Sequence, residues 1–322
     1  MHVLVGMADI ASSTLLLWEN AHFESVVGAA AAIGGYTKSE SGIVRLIWTT
    51  CKAMGRHGSE QSGVYQPFTT FLKANNILRN PLAPFRGNRF NILFYDAGVI
   101  YLLSSLIKKF LIEVWQTPNK LLRTVLADVQ VPEFITGCKA LGLVNKLITG
   151  PLWRVIESKD LSILDMNCRY QLLVDCLEKW SRDASPIVSC EAILFDDFPP
   201  SDDQITCALC TPSEYDSTVQ EILQVLFCAF STLLHRLLKD HLPGGYLDMP
   251  SDQLLVETRS VPNSNVISER DFAKLDQFLR EKPNATTLSL EGIILFSNNK
   301  TATWLQDKSP KEKEELFQKA RN

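Results

Sequence analysis

The chain has 322 residues, of which 46% are hydrophobic and 21% charged, with a formal net charge of -4. Such a composition describes a globular chain long enough for one to three domains. It excludes a disordered chain and one that binds polyanions through net charge, while leaving room for a local basic patch.

Taken in order, "MHVLVGMADIASSTLLLW" is apolar but has no Lys or Arg ahead of its apolar run and is interrupted by Asp9, so it does not read as a secretory signal. Within it, "VLVG" reads as a short buried strand. Residues 74–88 are a proline-bearing connector. The clearest helix follows, with Leu103, Leu106, Ile107, Phe110, Leu111 and Val114 at three- and four-residue spacing and Lys108 and Lys109 opposite. Gln116-Thr117-Pro118 ends it, and Asn119 caps the next helix. A later helix carries Tyr170, Leu173, Val174 and Leu177 on one face. "PIVSCEAILF", 186–195, reads as extended, and the acidic stretch 196–203 as a loop. The longest helix spans 217–241 and is stopped by Pro243-Gly244-Gly245. Its apolar stretch, 222–234, is short for a membrane span and contains Gln224, which predicts a buried helix. Residues 243–252 form a linker, two helices joined by a polar elbow occupy 265–300, and a charged tail follows. No run of strands with tight glycine turns occurs, so the fold class is mainly α.

Chemistry-bearing residues are sparse. The eight cysteines lie scattered, mostly among apolar neighbours, which predicts reduced, buried thiols and an intracellular compartment. The sequons at Asn284 and Asn299 are then accidental. Cys207 and Cys210 have metal-ligand spacing, but no second pair matches them, so no metal is assigned. His235 and His241 fall on different helix faces and read as solvated. His57 sits in a glycine-bearing turn with Arg56 and Glu60, without a phosphate-binding fingerprint. It is close in sequence to Cys51, but nothing there orients the two as base and nucleophile. Arg79, Arg86 and Arg89 form the best basic cluster, suited to nucleic-acid phosphates if it is not simply a solvated connector. Asp196-Asp197 and Asp202-Asp203 read as a solvated loop. No cofactor is indicated.

The C-terminal stretch resembles the dimerisation region of hAT-superfamily transposases. The parts that match are Ser268, Glu269, Arg270 and Phe272, then the elbow from Arg280 to Asn284, then the Leu-rich helix from Leu288 to Phe296. "GNRFNILFYDAGVIYLL", 87–103, resembles the segment opening that superfamily's helical insertion, with Phe90 in place of the usual Trp. His2 occupies the histidine place of its Cys-x-x-His element. The resemblance implies a ribonuclease-H-like core split by an all-α insertion, with two aspartates and a glutamate holding divalent metal. Glu269 falls in the glutamate's place. The aspartates belong upstream of the element containing His2, where this sequence begins, so the chain is read as lacking them and as catalytically inactive. One glutamate cannot hold two metal ions, and nothing local presents Asp9 or Asp96 as substitutes. Ser268 and Asp271 form a capping-box pattern that puts Glu269 in a first helical turn, where negative charge is favoured.

The resulting expectation is a mainly α protein: residues 1–85 as a remnant of the split ribonuclease-H-like core and connector, 86–245 as the helical insertion domain, 246–307 as the dimerisation region and 308–322 as the tail. It would act by self-association or protein interaction, as a homodimer joined through Phe272, Leu275, Phe278, Leu279, Leu290, Ile293 and Ile294. Phe272 is expected to be buried. Weak, nonspecific DNA binding, no membrane and an intracellular, nuclear location complete the reading. The alternatives left open are a hAT-type transposase retaining metal-dependent nuclease activity and an unrelated helical adaptor.

Overall fold

The computed structural model describes residues 2–33, 39–85, 91–115, 119–158, 161–261, 263–264 and 266–321. All regular structure among them is helical. The chain forms two compact units, residues 1–263 and 264–322.

In the first unit, α1 (His2–His22) buries Leu4, Met7, Ala8, Ala11 and Leu15 along one stripe. "VLVG", expected as a strand, is the start of this helix. Its apolar residues belong to a three-and-four spacing that runs on to Trp18, and the longer period prevails. The other main helices are α2 (Gly42–Met54), α3 (Tyr65–Ala74), α4 (Ile92–Lys109), α5 (Lys120–Val129), α6 (Pro132–Val144), α7 (Gly150–Glu157), α8 (Met166–Arg182), α9 (Gln204–Cys210) and α10 (Asp216–Leu237). Single π-helical turns at Phe110–Val114 and Asn145–Thr149 extend α4 and α6. The expected helix stop at Gln116-Thr117-Pro118 lies outside the described residues.

Helix α10 forms the centre. Val219, Ile222, Leu223, Leu226, Phe227, Phe230 and Leu234 are buried, and α1, α6 and α8 pack around it. By length and composition α10 could cross a membrane, yet half of its apolar window is buried, as suits a core helix. Residues set apart on sequence as 1–85 and 86–245 contribute to one apolar core. Helix α4 packs closely against α6. A Cβ built on Gly142 would stand 2.7 Å from the Gly98 Cα and 2.8 Å from Leu209. Glycine at both positions lets the backbones meet, and Leu209 of α9 covers the crossing.

Buried polar groups fix how α1, α2 and α5 dock. Glu19 of α1 accepts from Ser41 Oγ (2.6 Å) and from the Gly42 and Ile43 N–H groups (2.7 and 3.1 Å), satisfying donors that the start of α2 leaves open. Burial pushes the Glu19 carboxyl above the usual range despite these bonds. One turn on, Arg45 donates to both oxygens of Asp128 in α5, at 2.9 and 2.8 Å, and Asp128 also accepts from the Ala29 N–H at 2.7 Å. Both side chains are buried.

Asn119 caps α5 as expected, accepting from the Leu122 N–H at 3.0 Å. "PIVSCEAILF" is mostly not extended: Pro186 lies in a short helix, Ser185–Val188, and a turn follows at 189–190. Residues 196–203 form the expected loop, and Asp203 caps α9 by accepting from the Thr206 N–H. Residues 243–249 are turns and bends, and a short helix, Asp252–Thr258, begins at the end of the expected linker.

The second unit contains α11 (Val266–Glu281), α12 (Thr287–Asn298), α13 (Thr301–Gln306) and α14 (Pro310–Arg321). α11 packs against α12. Asp271 and Lys274 bind the amide of Asn298, tying α11 to the end of α12. Thr286 caps α12 through the Ser289 N–H. The expected capping box at Ser268 does not form the helix start, because α11 begins at Val266 and Ser268 lies inside it. A reciprocal box occurs instead at Ser309 and Glu312, each side chain accepting from the other's backbone N–H.

Candidate functional site

A cleft of about 690 Å³ lies in the first unit among α4, α6 and the junction of α9 with α10. Its size suits a small ligand. Its wall includes Tyr101, Ser105 and Lys108 of α4, Gln130, and Tyr215. Lys139 of α6 lies at its base with its side chain 1% exposed. The Lys139 ammonium donates to the Thr211 carbonyl (2.9 Å), Ser213 Oγ (3.3 Å) and Asp216 Oδ1 (2.6 Å), with the Tyr101 ring 5.7 Å away. Burial alone would raise the Asp216 carboxyl, but hydrogen bonds from Lys139 and Ser213 outweigh it and hold the carboxyl below the usual range. An ammonium has three protons to donate, and all three are engaged. Ser213 in turn donates to Asp216 at 2.6 Å. Lys139 therefore latches the α9–α10 joint onto α6 and is not poised as a base.

A second cavity, about 290 Å³, is lined by Trp48, Cys51, Lys52, His57, Ser59 and Phe85. It brings together Cys51 and His57, which the sequence only placed near each other. Cys51 is buried beside Asp96. Burial, with the Asp96 charge, pushes its thiol well above its ordinary value. Asp96 is itself raised to about 7 by burial, against the opposing pull of the Ala83 N–H and the Cys51 thiol. Its Oδ1 accepts from Ala83 at 2.9 Å, and its Oδ2 makes no hydrogen bond. Thiolate is the reactive form of cysteine, and this setting suppresses it. The pair shares a cavity without the electrostatics of a nucleophile and base.

The other sequence candidates are dispersed. Arg79 is exposed, and Arg86 and Arg89 lie outside the described residues. Among the described residues no group of three or more His, Cys, Asp or Glu side chains is placed to hold a metal ion. Asp9 is exposed on α1, whereas Asp96 is buried in α4. His235 is exposed and meets Glu178 at 2.8 Å. His241 is half-buried, with Nδ1 2.7 Å from Asn167 Oδ1.

The cysteines divide. Cys51 and Cys138 are buried thiols, as expected, while Cys168, Cys207 and Cys228 are exposed. Cys190 and Cys210 are joined in a disulfide, against the expectation that all eight are reduced. Pairing between a turn residue and a helix residue 20 positions on leaves no mark in local spacing.

In the second unit, Glu269 stands in the first turn of α11, where its charge complements the helix dipole. Of the residues assigned to dimerisation, Leu290 and Ile294 are buried and Leu275 and Phe278 are half-buried. Leu279 and Ile293 are exposed, and Phe272, expected to be buried, is 69% exposed. Leu288, Leu295, Phe296, Trp304 and Phe317 are exposed as well.

No family model matches the chain, and neither a curated protein nor a solved structure is detectably similar to it.

Proposed function

We propose that the protein works without catalysis, by self-association through residues 264–322. The supporting observation is the exposure of large apolar side chains on that unit, from Phe272 on α11 through Leu288 and Phe296 on α12 to Trp304 on α13. Among the side chains described in it, Leu290 and Ile294 are the buried apolar ones, a small core for a helical unit. Small units of this kind usually gain stability from a partner surface. Contiguous exposed apolar residues mark association sites, and a second copy offers the same surface to itself across a two-fold axis.

The reading is consistent with descent from a hAT-type transposase, whose C-terminal helical pair dimerises. That relationship rests on residues 265–300. A ribonuclease-H-like remnant in residues 1–85 would be built on strands, and the main elements described there are the helices α1, α2 and α3. The proposal includes an intracellular, nuclear location. It also includes weak, salt-sensitive DNA contact at Arg79, Arg86 and Arg89, from counterion release at phosphates.

Sedimentation of the full chain at tens of micromolar tests the central claim. A dimer that Leu279→Asp converts to a folded monomer supports it, and a parent chain that is monomeric throughout that range rejects it.

A further inference from the structure

Three cysteines gather where the loop after Ser185–Val188 meets α9. Cys190 is bonded to Cys210, the last residue of α9, with 5.7 Å between their Cα atoms. Cys207 lies one turn earlier on the same helix, free and exposed. Residues three apart on a helix share a face, with Cβ atoms about 5–6 Å apart. Their Cα atoms, about 5 Å apart by helix geometry, fall within the roughly 4.4–6.8 Å that a disulfide spans, and closing the Cβ atoms to the roughly 3.5–4.5 Å it needs requires the last turn of α9, where Cys210 ends the helix, to open. Cys210 therefore has two neighbours able to bond it, one in the loop and one in its own helix.

The bonded pair is open to attack. Cys190 and Cys210 are only partly buried. Cys190 also holds a left-handed backbone, φ 59°, which a side-chain-bearing residue adopts at a cost. That conformation belongs to the turn, where the Glu191 and Ala192 N–H groups both donate to the Pro186 carbonyl at 3.0 Å. Exposed disulfides are among the labile ones.

We infer that Cys207, Cys210 and Cys190 form a thiol–disulfide exchange site. The Cys207 thiol loses its proton to solvent, and its thiolate attacks the Cys210 sulfur. A Cys207–Cys210 bond forms as the Cys190–Cys210 bond breaks. The electron pair leaves on Cys190, which takes up a proton. Two thiols' worth of oxidation is present before and after, so no external oxidant or reductant is needed. The exchange moves the free thiol from α9 to the loop. It also unties the loop from the helix whose Ala208 lines the large cleft and whose following residue, Thr211, supplies a carbonyl to Lys139. Such a device suits a redox-responsive disulfide in a reducing compartment.

The test uses the full-length chain, held without added thiol at pH 8, quenched in acid at intervals, alkylated, and digested at acidic residues. Glu191 and the aspartates at 196, 197, 202 and 203 separate Cys190 from the Cys207–Cys210 peptide. The expected result is two interconverting species: a peptide pair linked through Cys190 and Cys210, and a single peptide with Cys207 bonded to Cys210 beside alkylated Cys190. Cys207→Ser, at an exposed position, should fold normally by circular dichroism and retain only the first species. Two results overturn the inference: a Cys190–Cys210 link that persists with Cys207 fully alkylated at every time point, or purified protein in which all three cysteines are thiols.

Discussion

The two units use apolar residues in opposite ways. In residues 1–263 most large apolar side chains turn inward, with Leu17, Leu78, Tyr246 and Met249 among the exposed exceptions, and Phe94, Phe227 and Phe230 meet in the core around α10. In residues 264–322 most of them face solvent while Leu290 and Ile294 are enclosed. The same helical periodicity builds both. The contrast separates residues that hold a fold from residues available for contact, and a substitution should register in stability in the first unit and in association in the second.

The sharpest test is the Arg45–Asp128 pair. Asp128→Ala removes both hydrogen bonds that the buried Arg45 guanidinium makes to Asp128 and the acceptor of the Ala29 N–H. Stranding one member of a buried ion pair costs about 3–5 kcal/mol. Urea denaturation should show a loss of that size in the cooperative transition of the first unit. A change below about 1 kcal/mol would mean the pair lies nearer water than its burial indicates.

Asp96 gives the first unit a pH dependence. Its folded value, about 7, lies above its unfolded value of 3.8. A raised acid binds its proton more tightly in the folded state. Its contribution is therefore full below pH 3.8 and is lost as pH rises through 7. At 1.36 kcal/mol per unit, the loss between pH 4 and 8 is about 3–4 kcal/mol. Glu19, also raised, adds in the same sense, whereas Asp203 and Asp216, held low, act in the opposite sense as pH falls. Comparison with Asp96→Asn isolates the term: the variant's stability should fall less over pH 5–8 than the parent's, and parallel profiles would contradict the assignment.

The helices and caps were largely legible because periodicity and cap chemistry are local. The Leu103–Leu111 stripe, the Tyr170–Leu177 face, the long helix ending before Pro243, and the cap at Asn119 could all be read from a few neighbouring residues. The sites were not. Lys139 meets Thr211, Ser213 and Asp216, and Asp96 meets Cys51 and Ala83, across separations that no local pattern encodes. Nor does the Gly98–Gly142 contact show in the surrounding sequence, since either glycine alone reads as a weak point in a helix. The Ser268 box failed because a cap motif marks a start only where the preceding residues are not already helical, and Val266 is.

A smaller effect belongs to the second unit. Leu279 is 46% exposed, so Leu279→Asp should leave the thermal transition of the chain close to its parent. The dimer's dissociation constant should rise about tenfold or more, equivalent to roughly 1.4 kcal/mol. Sedimentation equilibrium and circular dichroism on the same samples separate the two readouts. Loss of helicity together with loss of the dimer would show that Leu279 holds the fold and not a surface.

The smallest change is expected where the sequence suggested a large one. Phe272→Ala would cost about 3–5 kcal/mol if the ring were in a core. At 69% exposure it gives up little burial, and surface substitutions usually stay within about 0.5 kcal/mol. Neighbouring charges support that view: Asp271 and Lys274 on α11 hold Asn298, so the tie between α11 and α12 does not pass through the phenyl ring. Denaturation at a concentration low enough to keep the chain monomeric should therefore leave Phe272→Ala indistinguishable from the parent. At higher concentration, where copies meet, the same substitution should lower the apparent stability, because binding to the folded state is what the exposed ring supports. A loss of several kcal/mol in the dilute measurement would place Phe272 in a core and end the contrast between the units at that residue.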